Sequence, residues 1–188
     1  MMLENLRAVS NRVHLRHLKS EDAAGPYHDW INDPEVTRFL VTRLDYQSVE
    51  AIEGYIQEMN ARRDEIMLAV CDNETDRHIG NVKLQHIDPV HQTAWLSIVI
   101  GPTGSWGKGI GTETIALMTG VGFDDIDLRR IDASCFAENI GVQRAFEKCG
   151  YQHEGRTRKQ YFAAGRSWDA VRLGILRDDP PLWREFLS

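Results

Sequence analysis

Between Ser97 and Glu113 the chain passes from an apolar, β-branched run, Ser97-Ile98-Val99-Ile100-Gly101, into Trp106-Gly107-Lys108-Gly109-Ile110-Gly111-Thr112-Glu113. This segment constrains the fold most. It reads as a short strand feeding a glycine-rich turn that opens a helix, and such a junction leaves backbone N–H groups unpaired at the positive end of the helix dipole. An anionic ligand, phosphate above all, suits that end. Two familiar phosphate loops fail on spacing. A Walker-type loop needs glycine where Pro102 stands and Ser or Thr where Gly109 stands. The dinucleotide fingerprint fails because glycines 107, 109 and 111 recur at every second residue.

The 188 residues, 42% hydrophobic and 27% charged, suit one domain over 1–188 with a full core. The N-terminus carries no apolar signal-like run, and no stretch approaches the ~18 apolar residues of a membrane helix, so a cytoplasmic protein without a membrane partner is expected. Cys71, Cys135 and Cys149 are few, widely spaced and set in apolar stretches, which predicts reduced structural thiols. His14 and His17 fall on an expected strand, and no metal is predicted. The net charge is −6, and all of the excess lies in residues 1–100, which hold 10 Lys+Arg against 16 Asp+Glu; residues 101–188 hold 12 of each. That asymmetry opposes a nucleic-acid partner. It either favours a cationic acceptor or is a plain solvated surface.

Periodicity and turn chemistry predict a strand over Arg12–Leu18, a helix capped at Ser20-Glu21-Asp22 and running to Trp30, and a short helical segment from Pro34. A helix opens at Ser48 and runs to about Arg62. Strands follow at Ile66–Cys71, His78–Ile87 and Thr93–Ile100 as an antiparallel meander. Then come helix 109–123, strand Arg130–Phe136, helix Asn139–Cys149 and a hairpin of Tyr151–Phe162 with Ser167–Leu176 around Ala164-Gly165. The order β-α-α-β-β-β-α-β-α-β-β is an α/β pattern with a mixed, mostly antiparallel sheet flanked by helices.

The glycine loop resembles the acetyl-CoA pyrophosphate loop of the GNAT N-acetyltransferase superfamily, Arg/Gln-x-x-Gly-x-Gly/Ala, with Gly109 and Gly111 in the glycine positions and Trp106 where Arg or Gln is usual. That replacement is familiar in the branch holding ribosomal-protein N-terminal and amino-sugar acetyltransferases. The likeness extends to Trp30-Ile31-Asn32-Asp33-Pro34-Glu35-Val36, Arg130-Ile131, Glu138-Asn139, Arg144 to Tyr151, and Tyr161 to Asp169. It implies the GNAT fold, with an acceptor side mainly in 1–95, an acetyl-CoA side mainly in 96–150 and a closing hairpin over 151–177. It also implies acetyl transfer from acetyl-CoA, as cosubstrate, directly to a primary amine. The favoured acceptor is a small molecule such as an amino-sugar nucleotide; a protein N-terminus and a non-catalytic acyl-CoA module are the alternatives, and a homodimer is admitted.

By the same resemblance the CoA-binding residues are Ile98, Val99, Ile100, Trp106, Gly107, Lys108, Gly109, Ile110, Gly111, Thr112, Asn139, Arg144, Phe146 and Lys148. Lys108 either contacts phosphate or is simply solvated, and Asn139 also suits a helix N-cap. Many relatives protonate the departing thiolate with a tyrosine at the position of Phe146, which carries no proton to give. Either water, ordered by Asn139, protonates the thiolate in its place, or another group does so, or the low pKa of a thiol makes a dedicated acid unnecessary. Glu138 and His86 are the candidate bases, with Asp88 and His91 nearby, against a structural role for each. Trp30 and Tyr161 are expected to wall the acceptor site, while Trp95 is expected in the core.

Overall fold

The computed structural model describes residues 8–40, 45–163 and 165–187. Eight strands form one sheet: β1 (Ala8–Val9), β2 (Val13–His17), β3 (Ile66–Asp72), β4 (His78–Asp88), β5 (Thr93–Ile100), β6 (Arg130–Phe136), β7 (Gln152–Ala163) and β8 (Arg166–Leu176). Their spatial order is β1-β2-β3-β4-β5-β6-β8-β7, and every pairing is antiparallel except the parallel β5–β6. The expected α/β architecture is therefore present, with β1 as an added strand. Two residues carry too little periodicity to announce themselves.

Helices cover both faces. α1 (Pro26–Ile31), α2 (Pro34–Thr37) and α3 (Val49–Ala61) lie on one side, while α4 (Ile110–Gly120) and α5 (Ile140–Lys148) lie on the other. The predicted helix from Ser20 to Trp30 is instead two pieces, a 3-10 turn at Ser20–Ala24 and then α1, with Gly25 extended between them. Pro26 explains the break: its ring pushes the preceding residue out of the helical region, and it then serves as the first residue of α1. Asp33 caps α2 by accepting from the Glu35 N–H, and Ser48 caps α3 by accepting from the Ala51 N–H. The predicted helix over 109–123 ends its α-helical part at Gly120 and continues as a π turn over Val121–Asp125, where the Ile126 N–H reaches back to the Val121 carbonyl. Ala164 of the predicted hairpin turn lies outside the described residues, and Gly165 beside it has φ of 72°.

Alternation divides the apolar residues into two clusters. Val82, Leu84, Leu96, Ile131, Ala133 and Leu173 pack with Ile115 and Met118 of α4, whereas Met67, Ala69 and Cys71 pack with Ile52, Ile56 and Tyr27. The three cysteines are buried and free.

Candidate active site

The β5–β6 pairing ends early. Its register runs Thr93↔Arg130 to Leu96↔Ala133 and stops, although β5 continues to Ile100 and β6 to Phe136. Beyond Leu96 the two strands diverge, and one edge of β5 loses its partner. The Gly101 N–H bonds the Ile79 carbonyl of β4, so alternation turns the backbone groups of Ile98 and Ile100 toward the gap, while those of Val99 face β4. The Trp106 Nε1 donor takes the Ile100 carbonyl from that side at 2.9 Å.

Two cavities meet at this fork. One, of about 550 Å³, lies beside the glycine loop and the start of α5. Of the residues predicted for CoA, Ile98, Val99, Ile100 and Trp106 line it, followed by Gly107, Gly109, Gly111 and Thr112, and from α5 and its cap Asn139, Arg144 and Lys148. Gly109 caps α4 with φ of 87°, a conformation that favours glycine. Lys108 is exposed and off this wall, which favours its solvated reading, and Ile110 is buried in the core with α4. Phe146 is not on this wall: it is buried, lines the other cavity, and packs edge-on to Tyr151 at 4.8 Å. Arg38 adds a cation the sequence reading missed, its guanidinium 5.6 Å from the Trp106 ring centre.

The second cavity, about 690 Å³, opens over the other face of the sheet. Phe39, Leu40, Ile98, Val99, Asn139 and Val142 belong to both walls and mark the junction. Asn139 caps α5 there, its Oδ1 accepting from the Val142 N–H at 3.4 Å. Tyr161 lines the second cavity and bonds its hydroxyl to Ser134 Oγ at 2.8 Å.

Trp30 belongs to neither wall. Its indole lies against Gly101, where a Cβ would come within 2.2 Å of the ring, and it stacks on Tyr27 at 4.5 Å. Tyr27, one helical turn earlier, lines the cavity instead. Trp95, expected in the core, also lines it, and with Ser97, Ser134, Tyr161 and Arg172 the wall draws on β5 to β8 as well as on 1–95.

The two candidate bases separate. His86 is exposed on the second cavity's wall, with φ of 53° in the bulge between Gln85 and Asp88. Glu138 lies on the first cavity's wall, away from the acceptor side. Asp88 is a turn residue: it accepts the N–H groups of His91 and Val90, which hold its carboxyl below the usual value. Cys135 also lines the second cavity, but burial pushes its thiol up to about 12, so it stays protonated near neutrality. The lining contains no Asp or Glu among the described residues; it holds the cations Lys83 and Arg172, with His86 beside them. The acidity of residues 1–100 therefore does not extend into the described lining.

A family model described as an acetyltransferase (GNAT) domain matches residues 12–152. The chain belongs to the GNAT acetyltransferase family. Among its relatives, the probable N-acetyltransferase YjcK of Bacillus subtilis is 34% identical over 144 residues, covering 74% of this chain and 79% of that protein. The spermidine N(1)-acetyltransferase of Escherichia coli K12 is 27% identical, with 89% and 88% covered. The crystal structure of a Vibrio cholerae spermidine N-acetyltransferase with CoA and spermine superposes with a TM-score of 0.80 at 25% identity, covering 89% of this chain and 96% of that one. This GNAT chain is thus an N-acetyltransferase. No helix among the described residues is long and apolar enough to cross a membrane, and no cluster of three or more His, Cys, Asp or Glu among them could hold a metal.

Proposed function

We propose that this GNAT enzyme transfers acetyl from acetyl-CoA to the primary amine of a small molecule, an amino-sugar nucleotide being the preferred acceptor. The observation that carries the reading is the meeting of the two cavities at the β5–β6 fork. CoA in the first cavity would present its phosphates to the glycine loop and α4, and its thioester to the junction. An N–H of Ile98 or Ile100, turned into the gap, would then receive the carbonyl oxygen as negative charge develops. The amine nitrogen forms the new C–N bond, the C–S bond breaks, the thiolate takes up one proton and the nitrogen releases one. Cys135 is the cysteine on the acceptor wall, and its protonated state favours direct transfer over an acetyl-cysteine intermediate. A cavity of about 690 Å³ suits a small molecule.

The relatives that acetylate spermidine favour a polyamine as the second reading. Purified protein given acetyl-CoA with a UDP-linked amino sugar, spermidine or a peptide with a free N-terminus separates the readings by thiol release. Release with the amino sugar is expected. Turnover of spermidine or the peptide alone overturns the preferred acceptor, and saturable CoA binding without thiol release from any amine overturns the enzymatic reading.

A further inference from the structure

One row of side chains crosses the floor of the acceptor cavity. Lys83 on β4 is the direct partner of Ser97 on β5, and Ser134 on β6 is the direct partner of Arg172 on β8. Ser97 and Ser134 are the first residues past the last β5–β6 pair, Leu96↔Ala133, so they flank the mouth of the fork. All four line the acceptor cavity. The row reads cation, hydroxyl, fork, hydroxyl, cation.

The two cations differ in how they are held. Lys83 Nζ lies 2.9 Å from Glu65 Oε2, and Glu65 is shared with Arg62 at 3.3 Å, so this end is largely neutralised. Arg172 has no carboxylate partner among the described residues. Its guanidinium lies 5.0 Å from the centre of the Trp95 ring, which orders the side chain while leaving its N–H fork free to donate. Next to it, Ser134 is already bonded to Tyr161, which fixes a second hydroxyl beside the same strand. An ordered guanidinium beside two hydroxyls, facing a cavity whose described walls hold no Asp or Glu, is donor chemistry for an oxyanion.

We infer that Arg172, with Ser134 and Tyr161, forms an anion subsite that holds a phosphate group of the acceptor while its amine sits at the fork. The inference rests on the acetyl-transfer reading for the amine, but the subsite itself does not require turnover. Adjacent strands are about 4.8 Å apart, and Arg172 is one strand beyond Ser134, so amine and anion would be separated by about 5–10 Å. That spacing suits a phosphorylated amino sugar, and a guanidinium subsite repels a polycation rather than holding it.

Two measurements test it. In the first, rates are compared for glucosamine and glucosamine 6-phosphate, which differ in the anion alone. The phosphate should raise kcat/KM by about ten-fold or more, and Arg172→Gln should abolish most of that advantage through the acceptor KM, without changing the KM for acetyl-CoA. In the second, enzyme saturated with CoA, so that the glycine loop is occupied, is titrated calorimetrically with inorganic pyrophosphate. Saturable binding that weakens about ten-fold in Arg172→Gln supports the subsite; Ser134→Ala, weakening it about three-fold, serves if the arginine variant does not fold. Absence of saturable binding to the CoA-loaded enzyme overturns the subsite, as does equal binding by wild type and both variants. Equal rates for the two sugars overturn it while leaving acetyl transfer standing, whereas pyrophosphate binding without turnover of any amine counts against the enzymatic reading alone.

Discussion

The Trp106 indole fastens the glycine loop to the end of β5, donating from Nε1 to the Ile100 carbonyl at 2.9 Å. The residue that replaces the family's usual Arg or Gln thus holds the loop by a neutral bond to the cleft edge of the strand. Trp106→Phe keeps a ring and removes the donor. The net loss is about 1 kcal/mol, which corresponds to a CoA Kd about five-fold higher and a melting temperature lower by about 2–4 °C. Calorimetric titration with CoA and a thermal melt check both; an unchanged Kd would mean that the loop is held elsewhere.

Glu113 anchors the other end of that loop. Its buried carboxylate accepts the Ser10 hydroxyl at 2.7 Å, the Arg12 backbone N–H at 2.8 Å and the Arg12 guanidinium. The turn between β1 and β2 is thereby clamped to the first turn of α4, and Arg12 is brought beside Gly109. Glu113→Gln removes the charge and turns an amide donor toward donors that have no second acceptor. A loss of about 2–3 kcal/mol is expected, measured as a lower urea midpoint with the slope unchanged. Arg12 limits the damage because its side chain is 58% exposed and regains water.

Much of this architecture was legible in the chain. The start of α2 at Pro34 and of α3 at Ser48, the bounds of β5 and β6, and the glycine loop all rest on local chemistry that a sequence carries directly. The acceptor site was not, because it depends on register. Lys83, Ser97, Ser134 and Arg172 come from four strands, and their meeting on one row follows from pairings between distant residues. Trp30 and Tyr27 show the same limit at one turn's spacing. Trp30 was the residue expected on a cavity wall, and the close approach of Gly101 covers it while Tyr27 reaches the wall instead. The inward packing of Phe146 on Tyr151 is likewise a tertiary contact that its motif neighbours do not announce.

A buried histidine sets a stability window. His78 Nε2 faces the Gly80 carbonyl and Asn81 Oδ1, each at 2.8 Å, so it is assigned as the protonated nitrogen of a neutral ring. Burial lowers its pKa from the ordinary 6.5, against the pull of Asn81 and Asp22, with Arg16 also opposing protonation. Below about pH 6.5 the unfolded chain therefore binds a proton that the folded chain refuses, and stability declines as pH falls from 6.5 through the lowered folded value. His78→Gln, which keeps a donor, should flatten the stability curve between about pH 7 and pH 5. Urea unfolding at stepped pH checks this. Asp22 contributes separately: burial opposes its ionisation, but Arg16 and the Lys19 N–H outweigh it and hold the carboxyl below 3.8, so its loss begins only in more acidic solution.

The Tyr161 hydroxyl offers a choice between holding the acceptor and supplying the proton that Phe146 cannot. It bonds Ser134 Oγ at 2.8 Å on the acceptor side of the fork, and its ring lies 4.6 Å from that of Phe136. Tyr161→Phe preserves the ring contact and removes one polar group, so folding should be maintained within about 1 kcal/mol. If the hydroxyl holds the acceptor, the acceptor KM rises about five- to ten-fold while the KM for acetyl-CoA is unchanged, because the Tyr161 side chain lines the acceptor cavity and not the CoA wall. A thiolate acid behaves differently: its removal lowers kcat by about 100-fold and leaves the acceptor KM in place. Steady-state rates across pH distinguish the two, and the position of Tyr161 beside Ser134, one strand from Arg172, argues for the first.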